Sequence, residues 1–187
     1  MPPAGDRLST LAAAAQPSGR GLPPVHLWNP PNCGEIDIRI RRDGSWWHEG
    51  APISRPALVR LFSTVLRKDP DGYVLVTPAE KLKIHVDDVP FLAVRVDRVG
   101  EALVFETNVG DRVEAGPEHP LRVETAAGTG EPAPYLRVRA ALEARLSRPV
   151  FYELVELAEP RDAPDGVRLG VTSNGAWFEL GRTEAAR

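Results

Sequence analysis

Turn-forming residues recur so often through this chain that long elements have little room between them. Asp43-Gly44, Gly50-Ala51-Pro52, Asp69-Pro70-Asp71-Gly72, Pro78, Pro90, Gly100-Glu101 and Ser173-Asn174-Gly175 each interrupt a short apolar or alternating run. In the middle of the chain the interruptions fall at intervals of about 8–12 residues, the rhythm of an antiparallel sheet or small barrel. Ile36, Ile38 and Ile40 alternate with Asp37, Arg39 and Arg41, the period-two pattern of a half-buried strand. Asp43-Gly44 tolerates positive φ and suits a tight hairpin whose return strand, residues 45–49, carries Trp46 and Trp47 on opposite faces. Lys81, Lys83 and His85 alternate with Leu82, Ile84 and Val86, and Asp87-Asp88 makes a corner before Pro90. Further strands are expected over residues 73–77, 91–99, 102–107, 111–114 and 121–124. The last hairpin joins 167–172 to 176–180 through Asn174-Gly175, and residues 159–166 read as a loop.

Helical signals are fewer. Leu58, Leu61, Phe62, Val65 and Leu66 recur at helical spacing after Ser54 and Pro56, which predicts a helix ending on Arg67 and Lys68. Residues 140–146 have good helix propensity, with Pro149 as the breaker and 150–157 as a β-rich strand. Near the start, a short helix is expected over 11–16, with Pro17 to Pro24 as a linker. The division that follows is a flexible tail and linker over 1–24, an α+β half over 25–86, a mostly antiparallel β half with one helix over 87–182, and a frayed tail over 183–187.

Asp43-Gly44-Ser45-Trp46-Trp47-His48-Glu49-Gly50 is similar to Asn174-Gly175-Ala176-Trp177-Phe178-Glu179-Leu180-Gly181. The helix–strand pair 56–66 and 73–77 also has a counterpart in 140–146 and 150–157. The expectation is an α+β fold of two related halves, with a cleft at the seam between them.

The chain has 187 residues, of which 42% are hydrophobic and 26% charged. That is ordinary globular composition, and no apolar run approaches the roughly 18 residues of a membrane helix. A net charge of −3 argues against a general nucleic-acid binder. One cysteine excludes a disulfide framework, and with no export signal it points to the cytoplasm.

No Walker loop, dinucleotide turn, Gly-x-Ser-x-Gly or His-Glu-x-x-His occurs. The four histidines lack metal-ligand spacing, so neither a metal nor a cofactor is expected. Lys81 and Lys83 share a strand face and can meet a phosphate as point charges, or simply guard a solvated edge. Asp37 and Arg39 share the opposite face from the isoleucines, either paired with each other or lining the seam. Asp88 is an acceptor for ribose hydroxyls or a corner residue. Arg139, after Tyr135, clamps a base and phosphate or pairs with Glu143. These six residues, Asp37, Arg39, Lys81, Lys83, Asp88 and Arg139, are the candidate ligand contacts. The leading expectation is a non-catalytic ligand-binding or signal-transduction module that binds a small anionic, nucleotide-like ligand between its two halves. One alternative is an enzyme using Cys33 or His48 with nearby carboxylates. Another is a protein-interaction domain.

Asn29-Pro30-Pro31-Asn32-Cys33-Gly34, Leu75-Val76-Thr77-Pro78-Ala79-Glu80-Lys81, Val86-Asp87-Asp88-Val89-Pro90-Phe91, Thr107-Asn108-Val109-Gly110-Asp111 and His119-Pro120-Leu121 occur here in that order. Through them the chain resembles the bacterial domain-of-unknown-function 1285 family, from about Trp28 to Leu180. The resemblance implies a two-part α+β fold with a duplicated core and a C-terminal part similar to pleckstrin-homology-like folds. It further implies a groove for a nucleotide-like ligand and a role in signalling. It transfers no catalytic residues.

Overall fold

The alternating isoleucines form the structural centre of the first half. In the computed structural model, which describes residues 4–184, they lie on strand β1 (Asn32–Ile40) with their side chains buried and Glu35, Asp37 and Arg39 turned outward. Gly44 takes φ +83° in the following turn, and β2 (Trp46–His48) returns antiparallel, with Ile40 opposite Trp46. Trp46 is buried, whereas Trp47 stays half-exposed on the outward face. A short β3 (Ala51–Pro52) follows, then helix α2 (Pro56–Thr64). Strands β4 (Leu66–Asp69), β5 (Gly72–Val76) and β6 (Glu80–Val86) complete the set. They form a mixed six-stranded sheet in the order β3-β2-β1-β6-β5-β4, with β1 and β6 parallel at its middle.

Helix α2 is shorter than its apolar spacing predicts. Val65 is its C-cap, and Leu66, Arg67 and Lys68 pair with Leu75, Val74 and Tyr73. The hairpin through Pro70-Asp71 competes for these residues and wins, because it buries Leu66 against the sheet. Arg55 is the N-cap residue, and its side chain makes no capping bond.

Residues before the sheet are more ordered than a flexible tail would be. Helix α1 (Ala4–Ala14) starts earlier than 11–16, and Leu11 and Ala15 are buried. Its apolar stripe packs on α2. A 3₁₀ turn over Val25–Leu27 is tied down by Arg67, whose Nη1 donates to the Val25 and Trp28 carbonyls at 2.7 Å each. Residues 1–3 of the expected tail lie outside the described residues.

The chain divides after Pro90 into two compact units. The second opens with β7 (Phe91–Val99), β8 (Ala102–Thr107) and β9 (Arg112–Glu114), followed by β10 (Leu121–Thr125), β11 (Pro132–Arg139) and β12 (Leu142–Leu146). Their sheet order is β10-β11-β12-β7-β8-β9, with β7 and β12 parallel. Read from the other edge, β9-β8-β7-β12-β11-β10 repeats the strand order of the first sheet, each strand six places later in the chain.

A repeat therefore exists, but on different residues from those the sequence likeness pairs. The Asp43-Gly44 hairpin lies in the six-stranded sheet of the first unit. The Asn174-Gly175 hairpin joins β14 (Gly166–Ser173) to β15 (Ala176–Glu184) in a separate three-stranded sheet with β13 (Glu159–Ala163). The helix–strand correspondence fails as well. Residues 142–146 are strand, because Leu142, Ala144 and Leu146 are buried at period two and Ala140 turns the chain at φ +46°. Residues Arg148–Glu156 are helix α3, in which Val150 and Leu154, four apart, are buried. Pro149 sits in the first turn of α3, where its missing N–H costs nothing, and so begins a helix instead of breaking one. Residues 159–163 are strand rather than loop, and β15 carries the chain to Glu184, so Thr183 is not frayed. Residues 185–187 of the expected frayed tail lie outside the described residues.

Candidate functional site

Strand alternation puts Asp37 and Arg39 of β1 and Lys81, Lys83 and His85 of β6 on one outward face. The parallel register aligns Glu35 with Lys83 and Arg39 with His85, with an irregularity between Glu35 and Arg39. A hollow of about 410 Å³ opens there, lined by Glu35, Asp37, Lys83 and His85 over Ile36, Ile38 and Ile84. On the next strand Trp47 stands in register with Arg39, and the Arg41 guanidinium lies 3.5 Å from its ring centroid.

The cations of this face differ in how firmly they are held. Arg39 Nε donates to Asp87 Oδ1 at 2.7 Å, and His85 Nε2 lies 3.2 Å from the same oxygen. The pairing with Asp87 does not hide the Arg39 guanidinium, whose side chain is 54% exposed. The Arg39 bond is the main cause holding the Asp87 carboxyl below its usual range. Lys83 reaches Asp71 only at 3.9 Å, and both are well exposed. Lys81 is committed elsewhere: its Nζ donates to Asp69 at 3.3 Å, beside two bonds from Arg67 at 2.6 and 3.1 Å.

Arg39 and Asp37 are thus not paired through their side chains; Arg39 prefers Asp87, 48 positions along the chain, which the β1–β6 pairing brings alongside. Asp88 sits half-buried in the corner after β6. Arg139 is in the second unit, on β11. It donates to Asp111 at 2.6 Å, with its guanidinium 5.0 Å from the Phe91 ring centroid. Glu143 accepts two bonds from Arg122 at 2.8 and 2.7 Å. Residues 139 and 143 lie on neighbouring strands and not one turn apart on a helix.

Cys33 is exposed near the start of β1, in register with Lys81, and no imidazole stands within hydrogen-bond distance of its thiol among the described residues. His48 Nδ1 lies 2.9 Å from the Asp37 backbone oxygen, which fixes the ring rather than poising it beside a nucleophile. Among the described residues no group of three or more His, Cys, Asp or Glu is placed to hold a metal ion. No helix among them is long and apolar enough to cross a membrane. Sequence reasoning missed His85 and Trp47 as neighbours of Arg39. The alternation of β6 with its Lys-x-Lys-x-His face was the available signal for His85, while Trp47 required the β1–β2 register.

Two solved structures share this architecture. A DUF1285 family protein from Silicibacter pomeroyi DSS-3 is 49% identical, with 92% of this chain and 94% of that chain covered at a TM-score of 0.82. A DUF1285 family protein from Shewanella baltica OS155 is 25% identical, with 64% and 90% covered at a TM-score of 0.52. No curated protein matches the chain. The model for the N-terminal domain of unknown function DUF1285 matches residues 23–89, and that for the DUF1285 C-terminal domain matches 90–180. With both models matched end to end across its two units, the chain belongs to the DUF1285 family.

Proposed function

We propose that this protein is a non-catalytic binding module for a small anionic, nucleotide-like ligand, seated on the outward face of β1 and β6. The observation that supports the reading is the juxtaposition of three cationic or basic side chains on adjacent strands, Lys83 and His85 lining the hollow and Arg39 in register with His85, each between 45% and 67% exposed. Phosphate oxygens would take the Lys83 ammonium and the Arg39 guanidinium as donors. Asp37 at the hollow and Asp88 near the end of β6 would accept from sugar hydroxyls. Lys81 contributes by holding Asp69 rather than by touching the ligand. Arg139, engaged with Asp111, lies on β11 of the second unit. Signalling, and a pleckstrin-like role for the second unit, follow from the family resemblance alone.

A thermal-shift screen of nucleoside mono-, di- and triphosphates tests the proposal. A ligand at one hundred times its Kd adds about 2.7 kcal/mol of stability, which raises Tm by several degrees. The shift is expected in the parent protein and is expected to shrink in Lys83→Ala and Arg39→Ala. No shift with any nucleotide at millimolar concentration overturns it. A second reading, a protein-interaction domain, is favoured by one feature: Tyr152, Val155 and Leu157 stand exposed on and just after α3.

A further inference from the structure

Between α1 and α2 runs a groove of about 610 Å³, separate from the sheet-face hollow. Leu8 and Ala12 of α1 and Leu58 and Leu61 of α2 supply its apolar walls, and Ser9, Gln16, His48 and Arg55 are its polar lining. No aspartate or glutamate lines it among the described residues. The sheet-face hollow, by contrast, carries Glu35 and Asp37 beside its cations.

Arg55 differs from the other well-placed arginines of the molecule. Arg39, Arg67, Arg122 and Arg139 each hold a carboxylate. Arg55 is exposed and forms no salt bridge among the described residues. It occupies the N-cap of α2, where Ser, Thr, Asp or Asn would normally accept from the first-turn amides. No side chain caps this end and the first turn holds no acidic residue. The His48 ring is fixed through Nδ1, and its Nε2 is buried with no hydrogen-bond partner among the described residues. Among the described residues the groove therefore has apolar walls on both helices, neutral polar side chains at Ser9 and Gln16, and one sign of charge, at Arg55.

We propose that this groove binds an amphipathic monoanion, a carboxylate bearing an aliphatic chain, with the carboxylate at Arg55 and the chain between α1 and α2. Charge complementarity selects the head group. The leucine and alanine walls select the tail, and they would leave most oxygens of a polyphosphate unpaired. The site does not depend on the nucleotide reading of the sheet face, and the two fail separately.

Calorimetric titration of the full chain with butanoate, hexanoate, octanoate and 1-octanol tests the proposal. Octanoate is expected to bind, with Kd falling by up to about fourfold for each added methylene. Octanol is expected to bind at least about tenfold more weakly. Arg55→Gln is expected to weaken octanoate about tenfold, Arg55→Lys less so, and Lys83→Ala on the sheet face not at all. Methyl NMR on the parent protein locates the ligand without any variant, since octanoate should perturb Leu58 and Leu61. No octanoate binding at millimolar concentration overturns the site. Equal affinity for octanol and octanoate overturns the head-group assignment, and loss of binding in Lys83→Ala places the anion on the sheet face instead.

Discussion

Gly170 stands inside β14, where a strand residue normally carries a side chain. A Cβ there would lie 2.4 Å from two ring carbons of Trp177 and 2.4 Å from the Phe178 carbonyl oxygen. The register shift between Leu169 and Gly170 lets the Trp177 ring lie over the bare backbone. Gly170→Ala must push apart two paired strands, and it should cost about 1–3 kcal/mol. A urea midpoint equal to the parent's would contradict this. Asp69 makes a different kind of prediction. Hydrogen bonding from Arg67, then from Lys81, holds its carboxyl below the usual aspartate value of 3.8, against an opposing effect of burial. A carboxyl whose folded pKa is depressed adds stability above its unfolded pKa and loses it as pH falls through the folded value. The contribution is present at neutral pH and is lost progressively as pH falls below about 4. Denaturation curves at pH 7 and pH 3 should differ more for the parent than for Asp69→Asn, which lacks the titrating group.

At the scale of elements, the segment 140–157 shows propensity yielding to tertiary context. Ala, Leu, Glu and Arg favour helix over 140–146, yet β12 is a central strand, parallel to β7, with Leu142, Ala144 and Leu146 inward. Val, Phe and Tyr favour strand after Pro149, yet α3 forms because Ser147 and Pro149 fit its start and Val150 and Leu154 meet the core together. A strand would put Tyr152 on the same face as Leu154. The helix buries Leu154 fully and leaves Tyr152 61% exposed. Leu154→Ala should therefore cost about 2–5 kcal/mol, and Tyr152→Ala should stay within about 0.5 kcal/mol. Comparable losses in both variants, measured by chemical denaturation, would count against the helix.

At the scale of the whole molecule, each unit has its own six-stranded sheet and its own buried side chains, Phe62 and Trp46 in one, Phe91 and Phe105 in the other. Residues 91–187 expressed alone should unfold in one cooperative thermal transition, as a unit with its own core does. A broad melt with dye binding would show that the unit depends on the first. Ser173 ties this unit together. Its hydroxyl accepts from the Leu103 amide and donates to the Ala115 carbonyl, both at 2.7 Å, joining the three-stranded sheet to the larger one.

By itself the sequence determined what is local. Period-two alternation specified β1 and β6 and their charged face, and the positive-φ turns at Gly44 and Asn174-Gly175 specified two hairpins, because side-chain direction and turn geometry depend on neighbours in the chain. Tertiary structure decided what depends on distant residues. The parallel β1–β6 pairing chose Asp87 for Arg39, and β12's place beside β7 overrode its helix propensity. The strand order, and not the Gly–Trp likeness, fixed where the repeat lies. One backbone state is preferred over another by only about a few tenths of a kcal/mol per residue, and pairing between segments that meet on folding outweighs that preference.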